Sequence, residues 1–137
     1  MRDTINYETY NALKKVMIHW GFGDIEASIY ALLVLKNKPM GAREIAEKVG
    51  YAYSSVVNAL NQLRRYELVE RDKNGKCYSY HAVIDFIKIL KNERRRVKKL
   101  LTEIKEALKN EKENYTELLQ HLENGIKYLG KIDKEVK

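Results

Sequence analysis

The run YSSVVNALNQLRRY, residues 53–66, sets uncharged hydrogen-bonding side chains at helical spacing: Ser54, Ser55, Asn58, Asn61 and Gln62, closed by Arg65. Val56, Leu60 and Leu63, four and three apart, turn the other face of such a helix inward. Amides and hydroxyls both donate and accept, which suits the edges of nucleic-acid bases, and a terminal guanidinium suits phosphate. An ordinary solvated helix face is the plainer reading of the same residues. Arg43 and Tyr51 precede the run and Tyr53 opens it, and a phenol at either tyrosine would donate to phosphate or pack over the turn. Further on, Lys73-Asn74-Gly75-Lys76 joins two short alternating segments. Asn-Gly is a strong hairpin signal, and Lys73, Asn74 and Lys76 at such a tip suit a groove or a phosphate.

Residues suited to catalysis are sparse. His19, His81 and His121 are scattered, and no Ser-His-Asp, Cys-His, glycine-rich phosphate loop or paired-histidine pattern accompanies them. Glu117 and His121, four apart, offer two metal ligands without a third. An enzyme is therefore not expected, and neither a metal nor any other cofactor. Cys77 is the one cysteine, which excludes an intramolecular disulfide and fits a reducing cytoplasm. In a strand it reads as a buried, inert thiol. No segment approaches the ~20 apolar residues of a membrane span, so no membrane partner is expected. The net charge of +7 favours a polyanion. It concentrates in Lys88, Lys91, Arg94, Arg95, Arg96, Lys98 and Lys99 against Glu93, either a solvated helix face or a phosphate-contacting shoulder.

These residues need a frame. Tyr10, Leu13, Met17 and Trp20 predict an amphipathic helix from Ile5 to Trp20, broken by Gly21-Phe22-Gly23. Asp24 is expected to cap the next helix, Ile25 to Lys36, which is apolar on most sides as a central core helix would be. Pro39 marks the following break. Ala42 to Val49 carries Ile45, Ala46 and Val49 on one side, and Gly50 supplies a left-handed ending. Only Tyr51 and Ala52 separate it from the polar-faced helix. Two short helices so joined, then a hairpin, make a winged helix-turn-helix.

After Val83 the pattern changes. Positions 83, 87, 90, 94, 97, 101, 104, 108, 111, 115, 118, 122, 125 and 129 alternate by four and three, and eleven of the fourteen are apolar, which random sequence rarely produces. Leu90, Val97, Leu101, Ile104, Leu108, Tyr115, Leu118 and Leu122 form the candidate dimerisation seam. Glu111 interrupts it within the charged stretch 109–114, where the helix either runs on or folds back. The apolar stripe drifts against a seven-residue frame, which fits a straight, broad-faced helix with more than one neighbour.

From Gly21 to Val83 the chain resembles the TrmB-like winged-helix transcriptional regulators and, more loosely, the MarR type. The resemblance rests on Glu26-Ala27, Tyr30, Pro39, Glu44-Ile45-Ala46, Gly50, Val56, Leu60, Leu63, Leu68-Val69, Gly75, Tyr80 and Ala82. It departs at Gly41, where Ser or Thr usually caps the helix, and at Glu67, where a helix-ending glycine is usual. Longer family members carry a sugar-sensing domain, whereas a helical extension follows here, so sugar response is not carried over.

The expected protein is mainly α with a small β-hairpin. Residues 1–83 would form the winged-helix DNA-binding domain, and 84–137 a dimerising helix or helical hairpin. It would be a dimeric, sequence-specific regulator of transcription, most simply a repressor, binding double-stranded DNA. The alternative is a winged-helix interaction module within a larger assembly.

Overall fold

A computed structural model describes residues 6–111 and 113–135. They divide into two compact units, Met1–Asp85 and Phe86–Lys137. In the first unit, α1 (Tyr7–His19) starts where the Asn6 carboxamide oxygen accepts the Thr9 amide at 3.2 Å. It ends at Gly21, whose φ of 96° lets its N–H reach the Ile18 carbonyl at 2.9 Å and the Phe22 N–H reach that of Met17 at 3.1 Å. This is a Schellman ending, which satisfies carbonyls that a helix otherwise leaves open. Ile5, expected at the start of α1, lies outside the described residues.

Helix α2 (Asp24–Lys36) buries Ala27 through Leu33 and forms the centre of the core. Gly23, not Asp24, occupies its cap position. Asp24 is the first helical residue, where its charge complements the helix dipole and its carboxylate is left to bond elsewhere. The short α3 (Ala42–Val49) is capped by Gly41 without a side-chain bond and ends at the left-handed Gly50, φ 78°. Helix α4 (Tyr53–Arg65) follows after two residues and buries Val56, Ala59, Leu60 and Leu63. The inward face read from spacing is the observed one.

Strands β1 (Val69–Asn74) and β2 (Cys77–Ala82) form an antiparallel hairpin, with Asn74 paired to Cys77 and Val69 to Ala82. The two-residue loop is Gly75-Lys76, not Asn74-Gly75. Gly75 supplies the positive φ, 64°, at the first loop position, as a Gly-X loop requires. Met40 bridges Tyr80 on the far side of β2, exchanging bonds of 2.9 and 2.8 Å. The base of the hairpin is closed twice over: the Val83 N–H donates to the Leu68 carbonyl at 2.9 Å, and the buried Tyr30 hydroxyl donates to the Val83 carbonyl at 2.8 Å. Burial raises the Tyr30 hydroxyl to about 12.

The second unit is a helical hairpin, not one long helix. Helix α5 (Phe86–Leu108) and α6 (Thr116–Glu135) are separated at the charged stretch that interrupts the seam. Lys105 meets Glu123 across the pair at 3.5 Å. Gly125 lies inside α6, where glycine costs a helix about 1 kcal/mol. A Cβ there would sit 3.3 Å from the Leu101 Cδ1, so the missing side chain gives Leu101 its seat.

Candidate nucleic-acid interface

On α4, Ser54, Ser55, Asn58 and Arg65 are exposed, with Asn61 and Gln62 half-buried beside them. The Arg65 Nη1 donates to the Gln62 Oε1 at 3.0 Å, and the Arg64 Nη1 to the Asn61 Oδ1 at 3.4 Å. Both amide oxygens thus orient the guanidinium groups. A shallow groove of about 490 Å³ runs along this face, lined by Ser55, Asn58, Gln62 and Arg65 with Ile25 and Glu26 of α2. The first turn of α4 holds no acidic residue, and its cap, Ala52, has no side-chain oxygen to occupy the amides.

The flanking residues divide by role. The Arg43 guanidinium lies over the Tyr53 ring, 4.8 Å from its centroid, so two of the expected contact residues support each other. Tyr51 differs from both sequence-based readings: its hydroxyl donates to the Asp24 Oδ2. Lys14 pairs with the other carboxylate oxygen at 2.9 Å. The Tyr51 hydrogen bond, followed by that of Lys14, holds the Asp24 carboxyl below the usual range, and the same bond pushes the Tyr51 phenol up.

The register of the hairpin sorts charge by face. Cross-strand neighbours Arg71, Lys73 and Tyr78 share one side, with Arg71 stacked 3.9 Å from the Tyr78 centroid. Glu70, Asp72 and His81 share the other, where the His81 Nε2 lies 3.1 Å from Glu70 and its Nδ1 3.6 Å from Asp72. Lys73, Asn74 and Lys76 are exposed at the tip, and the Asn74 amide donates to the Ser79 hydroxyl at 3.2 Å. Cys77 is exposed as well, contrary to the expected buried thiol, because the strand carrying it extends beyond the core.

Residues 17–84 match the model of the family described as sugar-specific transcriptional regulator TrmB. This segment is a TrmB-family winged helix. Compared as sequence with curated proteins, the chain matches none. Compared as structure, it resembles a protein described as a transcriptional regulator, 11% identical, with a TM-score of 0.74 over 95% of this chain and 91% of the other. It also resembles a protein of the thermoacidophilic archaeon Sulfolobus tokodaii, 20% identical, with a TM-score of 0.52 over 64% and 94%. A transcriptional regulator of Thermotoga maritima, 16% identical, gives 0.50 over 96% and 92%. At such identities the likeness is one of fold. Sequence reading missed Lys14 and the pairing role of Asp24, because ion pairs between separate helices leave no periodic trace. Arg71 and Tyr78 were missed too, although alternation along the two strands could have found them.

None of the described helices is long and apolar enough to cross a membrane. Among the described residues no cluster of three or more His, Cys, Asp or Glu could hold a metal ion.

The candidate dimerisation residues fall into two sets. Leu122 is buried and Val97, Leu101 and Leu108 are half-buried, while Leu90, Ile104, Tyr115 and Leu118 stay exposed.

Proposed function

We propose that the protein is a dimeric, sequence-specific DNA-binding transcriptional regulator, most simply a repressor. The observation that carries the reading is the polar face of α4 above a fully buried apolar one. Ser54, Ser55, Asn58 and Gln62 face the major groove. Asn61 lies at its edge, and Arg65, Arg43 and Tyr53 serve the backbone. On the hairpin, Lys73, Asn74 and Lys76 contact phosphate or the neighbouring groove, with Arg71 on the same basic face as Lys73. Glu70 and Asp72 lie on the opposite face from Arg71 and Lys73.

Dimerisation is supported by apolar surface left over once α5 and α6 have paired. Leu100, Ile104 and Leu118 remain 58%, 44% and 43% exposed. Leu100 and Ile104, four apart on α5, share one face of that helix. A two-fold pair of winged helices would match a palindromic duplex.

Selection of bound duplexes from a random pool tests the function. A recurrent, palindromic sequence is expected. Asn58→Ala should then cost ~1–3 kcal/mol at particular base pairs, whereas Lys76→Ala should weaken every duplex and lower the salt dependence. Weak binding without sequence preference would favour a protein-docking module instead.

A further inference from the structure

The short turn between α1 and α2 touches both ends of α4. At the start of the helix, Tyr51 stands two residues before its first residue and gives its hydroxyl to Asp24. At the far end, the capping Tyr66 packs edge-to-face against Phe22, with centroids 5.4 Å apart and planes at 90°. Phe22 and Asp24 are separated by Gly23 alone. The Asp24 carboxylate is occupied on both oxygens: Oδ1 by the Lys14 ammonium at 2.9 Å, and Oδ2 by the Tyr51 phenol with the Ser28 hydroxyl at 3.5 Å. Lys14 in turn lies 5.6 Å from the Tyr10 ring centroid. One carboxylate thus joins α1, α2 and the two-residue link between α3 and α4.

We infer that the α1–α2 turn is a clamp that sets the pose of α4 on DNA, with Asp24 the positioning residue for Tyr51 and Phe22 that for Tyr66. The inference rests on the proposed DNA-binding function and deepens it. The link Tyr51-Ala52 is too short to absorb a shift, so fixing the phenol fixes the first turn of α4. The groove beside the polar face, lined by Ile25 and Glu26 just after Asp24, places the start of α2 against that helix. A carboxylate on a DNA-facing surface repels phosphate. Holding a phenol and neutralised by Lys14, it acts as an anchor and leaves base contacts to α4. Discrimination between base pairs depends on placement of side chains at sub-ångström tolerance, so the clamp governs specificity more than total affinity.

The test uses the full chain with a duplex chosen from a random pool, and a scrambled duplex of equal length. Asp24→Ala and Tyr51→Phe should each reduce the ratio of specific to non-specific affinity by about fivefold, the worth of one positioned hydrogen bond. The double variant should lose no more than Asp24→Ala alone, because that change already removes the Tyr51 bond. Asp24→Asn loses the same charge as Asp24→Ala but keeps an acceptor oxygen, so it should retain near wild-type discrimination. That separates the bond from the charge. Phe22→Leu should lower discrimination in the same direction. Thermal melting of each variant checks folding, and if Asp24→Ala does not fold, Tyr51→Phe carries the same comparison. Unchanged or improved discrimination in Asp24→Ala, beside a loss in Tyr51→Phe, would overturn the clamp, since the phenol would then serve DNA directly. Losses that multiply in the double variant would overturn it too. A wild-type protein that selects no sequence would bring down the proposed function itself, a different failure from one confined to the Asp24 variants.

Discussion

The two units use apolar residues differently. In the first, Met17, Ile29, Tyr30, Leu32, Leu33, Ile45, Val56, Leu60 and Leu63 are all nearly inaccessible to solvent, and four helices and a hairpin share one core. In the second, Ile89 and Leu122 are the buried apolar residues among those described, while Leu90, Leu100, Ile104 and Leu118 face solvent. The first unit completes itself with its own sequence. The second has a surplus of apolar surface, and a long exposed stripe of this kind is a hazard unless something covers it.

The largest effect should come from breaking that contrast at the hairpin. Ile104→Glu combined with Leu118→Glu puts charge where the dimer would be dry. The expected outcome is a monomer by sedimentation, with affinity for a palindromic duplex lower by on the order of a hundredfold as avidity is lost. The first unit should keep its melting behaviour. Leu122→Glu sharpens the contrast, because it should unfold the hairpin itself. A wild-type protein that sediments as a monomer at micromolar concentration, with Ile104 and Leu118 open to exchange, would remove the dimer.

In the first unit, Tyr30→Phe should cost about 1–3 kcal/mol in denaturant unfolding, because the Val83 carbonyl then loses its buried donor. The burial of the same hydroxyl has a signature in alkali. The Tyr30 hydroxyl is raised to about 12, so the stability it contributes is present below the unfolded value near 10 and lost as pH rises through about 12. Tyr51 is raised as well, so Tyr30→Phe should flatten the alkaline fall only in part.

Periodicity made much of this legible. The apolar face of α4, the all-round burial of α2 and the left-handed Gly50 were readable as spacing. The charged stretch 109–114 marked where the long helix either ran on or folded back, without deciding between them. What escaped depends on groups distant along the chain. Asp24 resembles a helix cap locally, yet its partners are Lys14 and Tyr51, and no pattern of fours and threes announces an ion pair between helices. The seam of eight residues read as one interface because spacing cannot show that Leu122 would face α5 while Leu118 looks outward. Cys77 read as buried because strand periodicity does not reveal where a hairpin leaves its core.

A smaller effect tests the clamp in acid. The Asp24 carboxyl is lowered by its bonds to Tyr51 and Lys14, so its contribution is present above the unfolded value of 3.8 and disappears as pH falls through the folded one. Ser28 also faces the carboxylate, while Tyr10 and Glu26 act on the Tyr51 phenol. Asp24 is an exposed group, so the change in melting temperature should be slight. Acid titration followed at the Asp24 carboxyl by NMR should show its midpoint moving up toward 3.8 in Tyr51→Phe. An unmoved midpoint would mean that the phenol bond does not persist in solution.

The smallest expected effect lies where α4 ends, and α1 provides its internal control. Both helices close with the same pair of bonds. At α4 the Glu67 N–H reaches the Arg64 carbonyl at 3.0 Å, and the Leu68 N–H reaches that of Leu63 at 3.0 Å. The corresponding residue at α1 is Gly21, φ 96°, whereas Glu67 adopts φ 62° with a side chain attached. A side chain in the left-handed region costs roughly 1–2 kcal/mol, and glycine recovers this while adding ~0.4–1 kcal/mol of unfolded-state freedom. Those two contributions span neutral to roughly 1.6 kcal/mol in favour of Glu67→Gly, reduced by the interaction that the glutamate makes, so the variant should be neutral or mildly stabilising. Gly21→Ala should have the opposite sign, because an added Cβ would meet nothing within 4 Å and only the backbone would resist. Paired chemical denaturation of the two variants compares one geometry with the residue exchanged in each direction. A clear loss of stability in Glu67→Gly would show that contacts of the glutamate side chain outweigh the strain in its backbone.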